Sequence, residues 1–306
     1  MAVAPQVGGG MRGGVKRLLP FLALAAGPLW GTTYVVTVSG LGGEPDYEQR
    51  FSMLATDTDK ILRAGTAGDR IVETLKGSDA TKARLEAAIS KVAGQATQAD
   101  VFILMMIGHG TFDTEYKFNL PGPDISAAEL NALLNKIPAG RQLVVNMTSS
   151  SGAVTEVLKK ENRTIITATK SGSEKNATVF ARFWVEALRD NAADTDKNGQ
   201  VTALEAYRYA ETKTKTYYSE AKHLATEHSV IDGEARAGAF TLVRYGAADV
   251  VVTDPARKAL LVHKEEVENK IDALKYQKDL LAPEEYRRQL TTLLLDLAKT
   301  QAEIEK

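Results

Sequence analysis

The sequence contains no cysteine among its 306 residues. Disulfide bonds, thiolate zinc sites, thiol nucleophiles and lipid-bearing cysteines are therefore excluded as bases for its function. An excess of charge is also lacking, because 38 lysines and arginines stand against 39 aspartates and glutamates, which gives a net charge of −1. A chain so close to neutrality gives no electrostatic reason to expect nucleic acid or an anionic membrane as a partner.

Long apolar runs are scarce, and the one near the N-terminus, LLPFLALAAGPLWG at 18–31, is too short to span a bilayer. Basic residues without an acid precede it, and the small residues Ala23, Ala25 and Ala26 offer an A-x-A cleavage site. This pattern is typical of a secretory signal peptide, which we place at 1–32 with the start at Met1 or Met11. The alternative is an apolar tail. A signal peptide predicts an exported protein, periplasmic or secreted, with no integral membrane span once it is removed.

From residue 33 to 246, short apolar and β-branched runs alternate with segments of helical period. DVFILMMIGHG (100–110) and RQLVVNM (141–147) are typical of buried strands, and Ser126 with Glu129 forms a capping box at the start of a helix. Buried strands between helices indicate an α/β domain with a mostly parallel sheet and helices on both faces. GAFTLVRYG (238–246) is the expected last strand of this domain.

Residues 247–306 differ in composition, and we predict a linker followed by a helical hairpin. The segment from 256 onward is rich in charge, and Pro283 is placed to open the second helix. Its apolar residues follow a helical spacing: Val267, Ile271, Leu274, Leu290, Leu294 and Leu297. The hairpin either docks on the domain or pairs with another chain as a coiled coil, which would make a homo-oligomer through 256–306.

Glycines follow the first predicted strand, in SGLGGEP at 39–45. The dinucleotide fingerprint G-x-G-x-x-G is not met, because Pro45 stands where the third glycine should open the helix. We interpret the segment as a tight turn and expect no residue of the chain to bind an organic cofactor.

The stretch DTDKNGQVTALE (194–205) matches the calcium-binding EF-hand loop, with glycine at loop position 6 and glutamate at position 12. The ligands it predicts are Asp194, Asp196, Asn198, Gln200, Thr202 and Glu205. Both flanking segments have helical character. The alternative is a charged turn whose side chains cap the two helices without a metal.

Two turns that follow predicted strands, which we call corners, carry side chains that could take part in catalysis. His109 lies between two glycines after one buried strand, and four hydroxyl residues, Thr148 to Ser151, follow the next. Parallel neighbouring strands place such corners at the same edge of the sheet, where α/β proteins build their sites.

The first corner has the pattern Gly-His-Gly. The second is a strand that ends in a small residue, a nucleophile, any residue and then Ser-Gly. Together these corners resemble the caspase, legumain and gingipain superfamily of cysteine peptidases. The resemblance extends to TIITATKSGSEKNATVFARFWVEAL, DTDKNGQVTALEAY and TEHSVIDGE, and together they resemble a bacterial caspase-like family of exported proteins. It covers about 33–246 and implies a caspase-like fold.

The resemblance implies that His109 is the catalytic histidine, that Ser149 stands at the position of the catalytic cysteine, and that Gly110 and residue 149 give backbone oxyanion donors. The chain departs from the family here, since the nucleophile is serine. A hydroxyl needs a base oriented by a third group, which a cysteine dyad does not. Asp113 and Glu115 lie near His109 in sequence only.

Two hypotheses follow from this departure. The first is an exported pseudopeptidase that binds or scaffolds a peptide or protein ligand, with the calcium loop bracing the domain. The alternative is an active hydrolase that uses a Ser149–His109 dyad. TEHSVIDGE (226–234) is interpreted as a solvated loop, with a substrate loop as the other reading.

Overall fold

The computed structural model describes residues 31–64, 70–245 and 281–304, together with 260, 263, 264, 267, 268, 270, 271 and 274. The predicted signal peptide at 1–32 lies almost wholly outside these residues, as does much of the predicted linker and of the first helix of the hairpin.

A six-stranded sheet forms the centre of the molecule, in the order β10-β8-β7-β3-β1-β2. All neighbouring pairs in it are parallel except β10 with β8. Its strands are β1 (Thr33–Ser39), β2 (Arg70–Leu75), β3 (Val101–Ile107), β7 (Arg141–Asn146), β8 (Arg163–Thr167) and β10 (Val230–Asp232). The smaller sheets comprise β4 (Gly110–Phe112), β5 (Tyr116–Phe118) and β6 (Ile125–Ser126), and β9 (Gln200–Thr202) with β11 (Thr241–Arg244).

Helices cover both faces of the central sheet. The helices are α1 (Pro45–Ala64), α2 (Lys82–Gln95), α3 (Ala127–Leu134), α4 (Thr155–Leu158), α5 (Phe180–Ala187), α6 (Ala203–Glu220), α7 (Glu234–Ala237) and α8 (Pro283–Ile304). Helices α1, α5 and α6 share one apolar core with the sheet, and α2, α3 and α4 share the other. The predicted α/β class, a mostly parallel sheet with helices on both faces, is confirmed.

The register of the central strands places the two predicted corners at the same edge of the sheet. All seven residues of β3 are buried, as expected for a strand covered on both faces. In the register of β3 with β7, Met106 lies opposite Asn146. The chain therefore leaves both strands at the same level, and the two predicted corners, at His109 and at residues 148–151, follow at the same edge.

The predicted last strand of the domain is confirmed, since β11 lies inside GAFTLVRYG. The strand inside GAFTLVRYG, β11, pairs with β9 in the two-stranded sheet and not with the central sheet. The prediction of a solvated loop at 226–234 needs a correction, because this segment contains β10, one of the two edge strands of the central sheet, which runs antiparallel to β8. Three residues that end in Asp232 and are followed by Gly233 carry too short a periodic pattern to be distinguished from a turn.

The C-terminal region contains the helix α8, which begins at Pro283 as the sequence predicted. His263, in a helical position of the preceding segment, has its Nε2 3.2 Å from Asp296 Oδ1 of α8, which places the two segments side by side there. Assembly through 256–306 stays a prediction. None of the helices in the described parts of the chain is long and apolar enough to cross a membrane.

Candidate functional site

The two corners at the sheet edge are in direct contact. Gly110 opens β4 immediately after His109. A Cβ atom built on Gly110 would lie 2.5 Å from the backbone oxygen of Ser149, so only glycine fits there without displacing the neighbouring chain. The structure therefore brings Ser149 against Gly110, the residue that follows His109 in the chain.

The Ser149 hydroxyl is both a donor and an acceptor of hydrogen bonds with the backbone of Gly110. Its Oγ donates to the carbonyl oxygen of Gly110 at 3.0 Å and accepts from the N–H of the same residue at 3.1 Å. The residue is 2% exposed. Both the proton and one lone pair of the hydroxyl are thus committed to main-chain groups.

The His109 ring lies against helix α1 and the loop before it. Its centroid is 4.7 Å from that of Tyr47 and 5.0 Å from that of Phe51, both edge-on. Desolvation lowers the pKa of His109, partly offset by the Glu44 carboxylate and by a hydrogen bond to the backbone of Gly42. Within the described residues, no hydrogen bond joins this ring to Ser149.

The carboxylate that acts on His109 is therefore Glu44, which the sequence reasoning did not select. Of the two acids proposed from their sequence positions, Glu115 pairs with Lys117 at 3.9 Å. Glu44 follows β1, and only the topology, which places β1 next to β3, brings it to this corner.

The expected oxyanion donors are only partly free. The N–H of Gly110 is used by the Ser149 hydroxyl, which fills the place that a substrate oxyanion would need. The N–H of Ser149 has no hydrogen-bond partner among the residues that the structure describes. A ligand carbonyl could thus find one donor here, and it would have to displace the serine hydroxyl to reach the other.

A buried polar network fixes the end of β7 beneath this contact. The Thr148 hydroxyl lies 2.7 Å from the Tyr116 hydroxyl and donates to Asn146 Oδ1 at 2.8 Å. Burial raises the pKa of Tyr116, so this phenol stays protonated. No local pattern in the sequence points to Tyr116 or Asn146, because their contact joins residues 30 positions apart.

The remaining hydroxyls of the turn are buried as well. Ser150 adopts a left-handed backbone conformation, with φ of 57°, and its Oγ has no partner among the described residues. Ser151 Oγ accepts from the N–H of Thr169 at 3.1 Å. We call residues 148–151 the hydroxyl turn.

We predict that Ser149→Ala lowers the free energy of unfolding. The substitution leaves the N–H and the carbonyl of Gly110 without their partner in a buried place, which costs about 1–3 kcal/mol. Urea unfolding measures the difference. Ser173→Ala, which removes an exposed hydroxyl, serves as the control and should change the free energy by less than about 0.5 kcal/mol. A Ser149→Ala protein as stable as the wild type would contradict the two-way bond.

The predicted calcium loop folds around its carboxylates. Asp194 accepts from the N–H groups of Asn198 at 3.1 Å and Gly199 at 3.0 Å, and Asn198 Oδ1 accepts from the N–H of Gln200 at 2.9 Å. Asp194, Asp196 and Glu205 each bring a carboxylate oxygen within 4.8 Å of the others. Oxygen atoms gathered in this way could hold a metal ion.

The end of the loop also caps helix α6. Thr202 is the N-cap residue, and Glu205 closes a capping box with it. Glu205 Oε1 accepts in addition from the N–H of Thr195 at 3.0 Å. The Thr202 hydroxyl therefore caps the helix. This role agrees with its place at loop position 9, where calcium is often bound through water. Capping and metal binding, the two readings of the sequence, are compatible in this geometry.

No protein-family model matches this chain, and no curated protein sequence matches it. Among solved structures, a structural-genomics protein from Geobacter sulfurreducens aligns over 71% of this chain and 98% of its own, with 14% identity and a TM-score of 0.43. Caspase-1 from Spodoptera frugiperda aligns over 71% of this chain and 92% of its own, with 13% identity and a TM-score of 0.47. These similarities are distant, and the function of this chain has to be inferred from its own residues.

Proposed function

We propose that the protein is an exported, caspase-like pseudopeptidase that binds a peptide or protein ligand without cleaving it. The observation that carries the proposal is the two-way hydrogen bond between Ser149 Oγ and the backbone of Gly110. Because of this bond, the hydroxyl is not positioned to act as a nucleophile. The hydroxyl also occupies the place that a substrate oxyanion would need.

The chemistry of the hydroxyl supports this proposal. A cysteine thiol has a pKa of about 8.5 and readily becomes a thiolate beside an imidazole. A serine hydroxyl has to lose its proton during attack, to a base that is held in the right tautomer, commonly by a carboxylate. His109 instead hydrogen-bonds the backbone of Gly42, and Glu44 acts on it only through its charge. Among the described residues, no third group therefore holds the His109 ring in the way that would compensate for the loss of the thiol.

A peptide library incubated with the protein tests the proposal. We expect mass spectrometry to find peptides retained by the protein and none cleaved, because Ser149 cannot attack. A fluorophosphonate reagent should leave Ser149 unlabelled. Ser149→Cys is the matched variant, because it restores the nucleophile of the resembled family at an otherwise unchanged site. Cleavage by the wild-type protein that is lost in both Ser149→Ala and His109→Ala would overturn the proposal.

The alternative function is hydrolysis by a Ser149–His109 dyad. The observation in its favour is the N–H of Ser149, which has no partner among the described residues and could polarise a substrate carbonyl. Activity would require the hydroxyl to leave Gly110 and turn toward His109. Covalent labelling of Ser149 by the fluorophosphonate, abolished in His109→Ala, would favour this alternative.

Calcium completes the proposal as a structural ion. Asp194, Asp196, Asn198 and Glu205 would hold it through side-chain oxygens, Gln200 through its backbone carbonyl and Thr202 through water. The ion would neutralise the carboxylates and fix the connection between α5 and α6. Its expected effect is on stability.

A further inference from the structure

The hydroxyl turn is covered by the loop that follows β8. Gly152, next to the turn, donates its N–H to Thr169 Oγ1 at 2.9 Å, and Ser150 donates its N–H to the carbonyl oxygen of Glu174 at 2.8 Å. A Cβ atom on Gly152 would lie 2.2 Å from the backbone nitrogen of Ser171. The main chain of residues 168–174, which we call the covering loop, therefore lies directly on the turn.

A carboxylate–imidazole pair fastens the covering loop. Glu174 Oε1 lies 2.5 Å from His228 Nδ1, and Oε2 accepts from the N–H of His228 at 3.1 Å and from that of Lys170 at 2.9 Å. The pair joins residues 54 positions apart, one in the loop after β8 and the other just before β10. The Glu174 side chain is 11% exposed and that of His228 is 47% exposed, so the fastening lies at the surface while the turn lies beneath it.

One hydroxyl beneath the covering loop lacks a partner in the described parts of the chain. Ser150 Oγ is buried without a hydrogen-bond partner in the described parts of the chain, and its backbone is in the left-handed region. An unpaired buried hydroxyl disfavours the closed arrangement, because water would bind it as soon as the loop lifted. The closed arrangement therefore relies on contacts such as the Glu174–His228 pair.

We propose that the covering loop is a lid over the candidate site and that Glu174 with His228 is its latch. The inference rests on the proposed function, because the lid covers the same turn and controls the access of a ligand to it. It assigns a role to His228, in a segment that the sequence alone favours as a solvated loop.

The absence of cysteine from the chain makes the lid directly testable. Ser150→Cys is nearly isosteric and breaks no hydrogen bond of the described residues, since Ser150 Oγ makes none. The measurement is the rate at which a maleimide labels this single thiol in native buffer. We expect slow labelling with the latch intact and labelling roughly tenfold faster or more with His228→Ala, the change expected from losing one charge-assisted hydrogen bond. His223→Ala, five positions before His228 and outside the latch, is the matched control and should leave the rate unchanged.

A second thiol separates lid opening from general loosening. Ala210→Cys lies buried in the core on α6, away from the lid, and should stay slow in the His228→Ala background. An unchanged rate at position 150, or an equal acceleration at both positions, would overturn the lid. If Ser150→Cys does not fold, hydrogen exchange of the Ser150 amide, which bonds Glu174, gives the same comparison with the native serine. No catalysis is measured, so the lid and the pseudopeptidase proposal can fail separately.

Discussion

Gly110→Ala is expected to lower the free energy of unfolding by about 3–5 kcal/mol, through overpacking and the loss of the bonds to Ser149. The new Cβ would meet the backbone oxygen of Ser149 at 2.5 Å, Tyr116 Cε2 at 2.5 Å and Thr148 Oγ1 at 2.7 Å. One of these neighbours is main chain, and the other two belong to the buried network at the end of β7. None can yield without breaking hydrogen bonds that have no water to replace them.

Urea unfolding of Gly110→Ala and the wild type measures this effect, and Gly94→Ala is the matched control. Gly94 lies in helix α2, and a Cβ atom there meets nothing within 4 Å. Alanine at that helical position should stabilise the protein by up to about 1 kcal/mol. If Gly110→Ala were as stable as the wild type, the two corners would not be packed as described, and the Ser149 hydroxyl would be free to turn.

The edge of the sheet could be predicted from the sequence because it depends on local patterns. The apolar runs that form β3 and β7 identify buried strands, and parallel pairing then requires His109 and the hydroxyl turn to follow at one edge. The spacing of the oxygen side chains from Asp194 to Glu205 likewise predicts the convergence of carboxylates that the structure shows. In both cases the determining information lies within a short stretch of chain.

The partners at that edge could not be predicted, because contacts between separate loops decide them. The sequence offers four adjacent hydroxyls, and the family resemblance selects Ser149 without revealing that its Oγ bonds Gly110, 39 positions away. Among the described residues, a carboxylate is hydrogen-bonded to the imidazole of His228, that of Glu174, whereas Glu44 acts on His109 through its charge alone. Neither Glu174 nor His228 is distinguished locally from the other polar residues of its loop.

Calcium is expected to raise the midpoint of thermal unfolding by about 5–10 °C. A ligand at about 100 times its dissociation constant adds about 2.7 kcal/mol to the free energy of unfolding. In a domain of this size, each kcal/mol raises the midpoint by about 2–4 °C. Without an ion, the carboxylates of Asp194, Asp196 and Glu205 repel one another across less than 4.8 Å. A divalent cation converts this repulsion into coordination. Differential scanning fluorimetry with calcium at millimolar concentration, compared with a chelator, measures the shift.

The variants separate a metal site from a capped turn. Asp194→Ala combined with Glu205→Ala should abolish the calcium-dependent shift, and it should also lower the midpoint in chelator, because Glu205 caps α6 and bonds Thr195. Glu211→Gln removes a nearby acid that pairs with Lys215 outside the loop and should leave the shift intact. If the carboxylates served the helix alone, the double variant would be destabilised equally with calcium and with chelator, and the wild type would show no shift. The calcium-dependent part of the difference, and not the loss of stability itself, therefore decides whether this loop binds the ion.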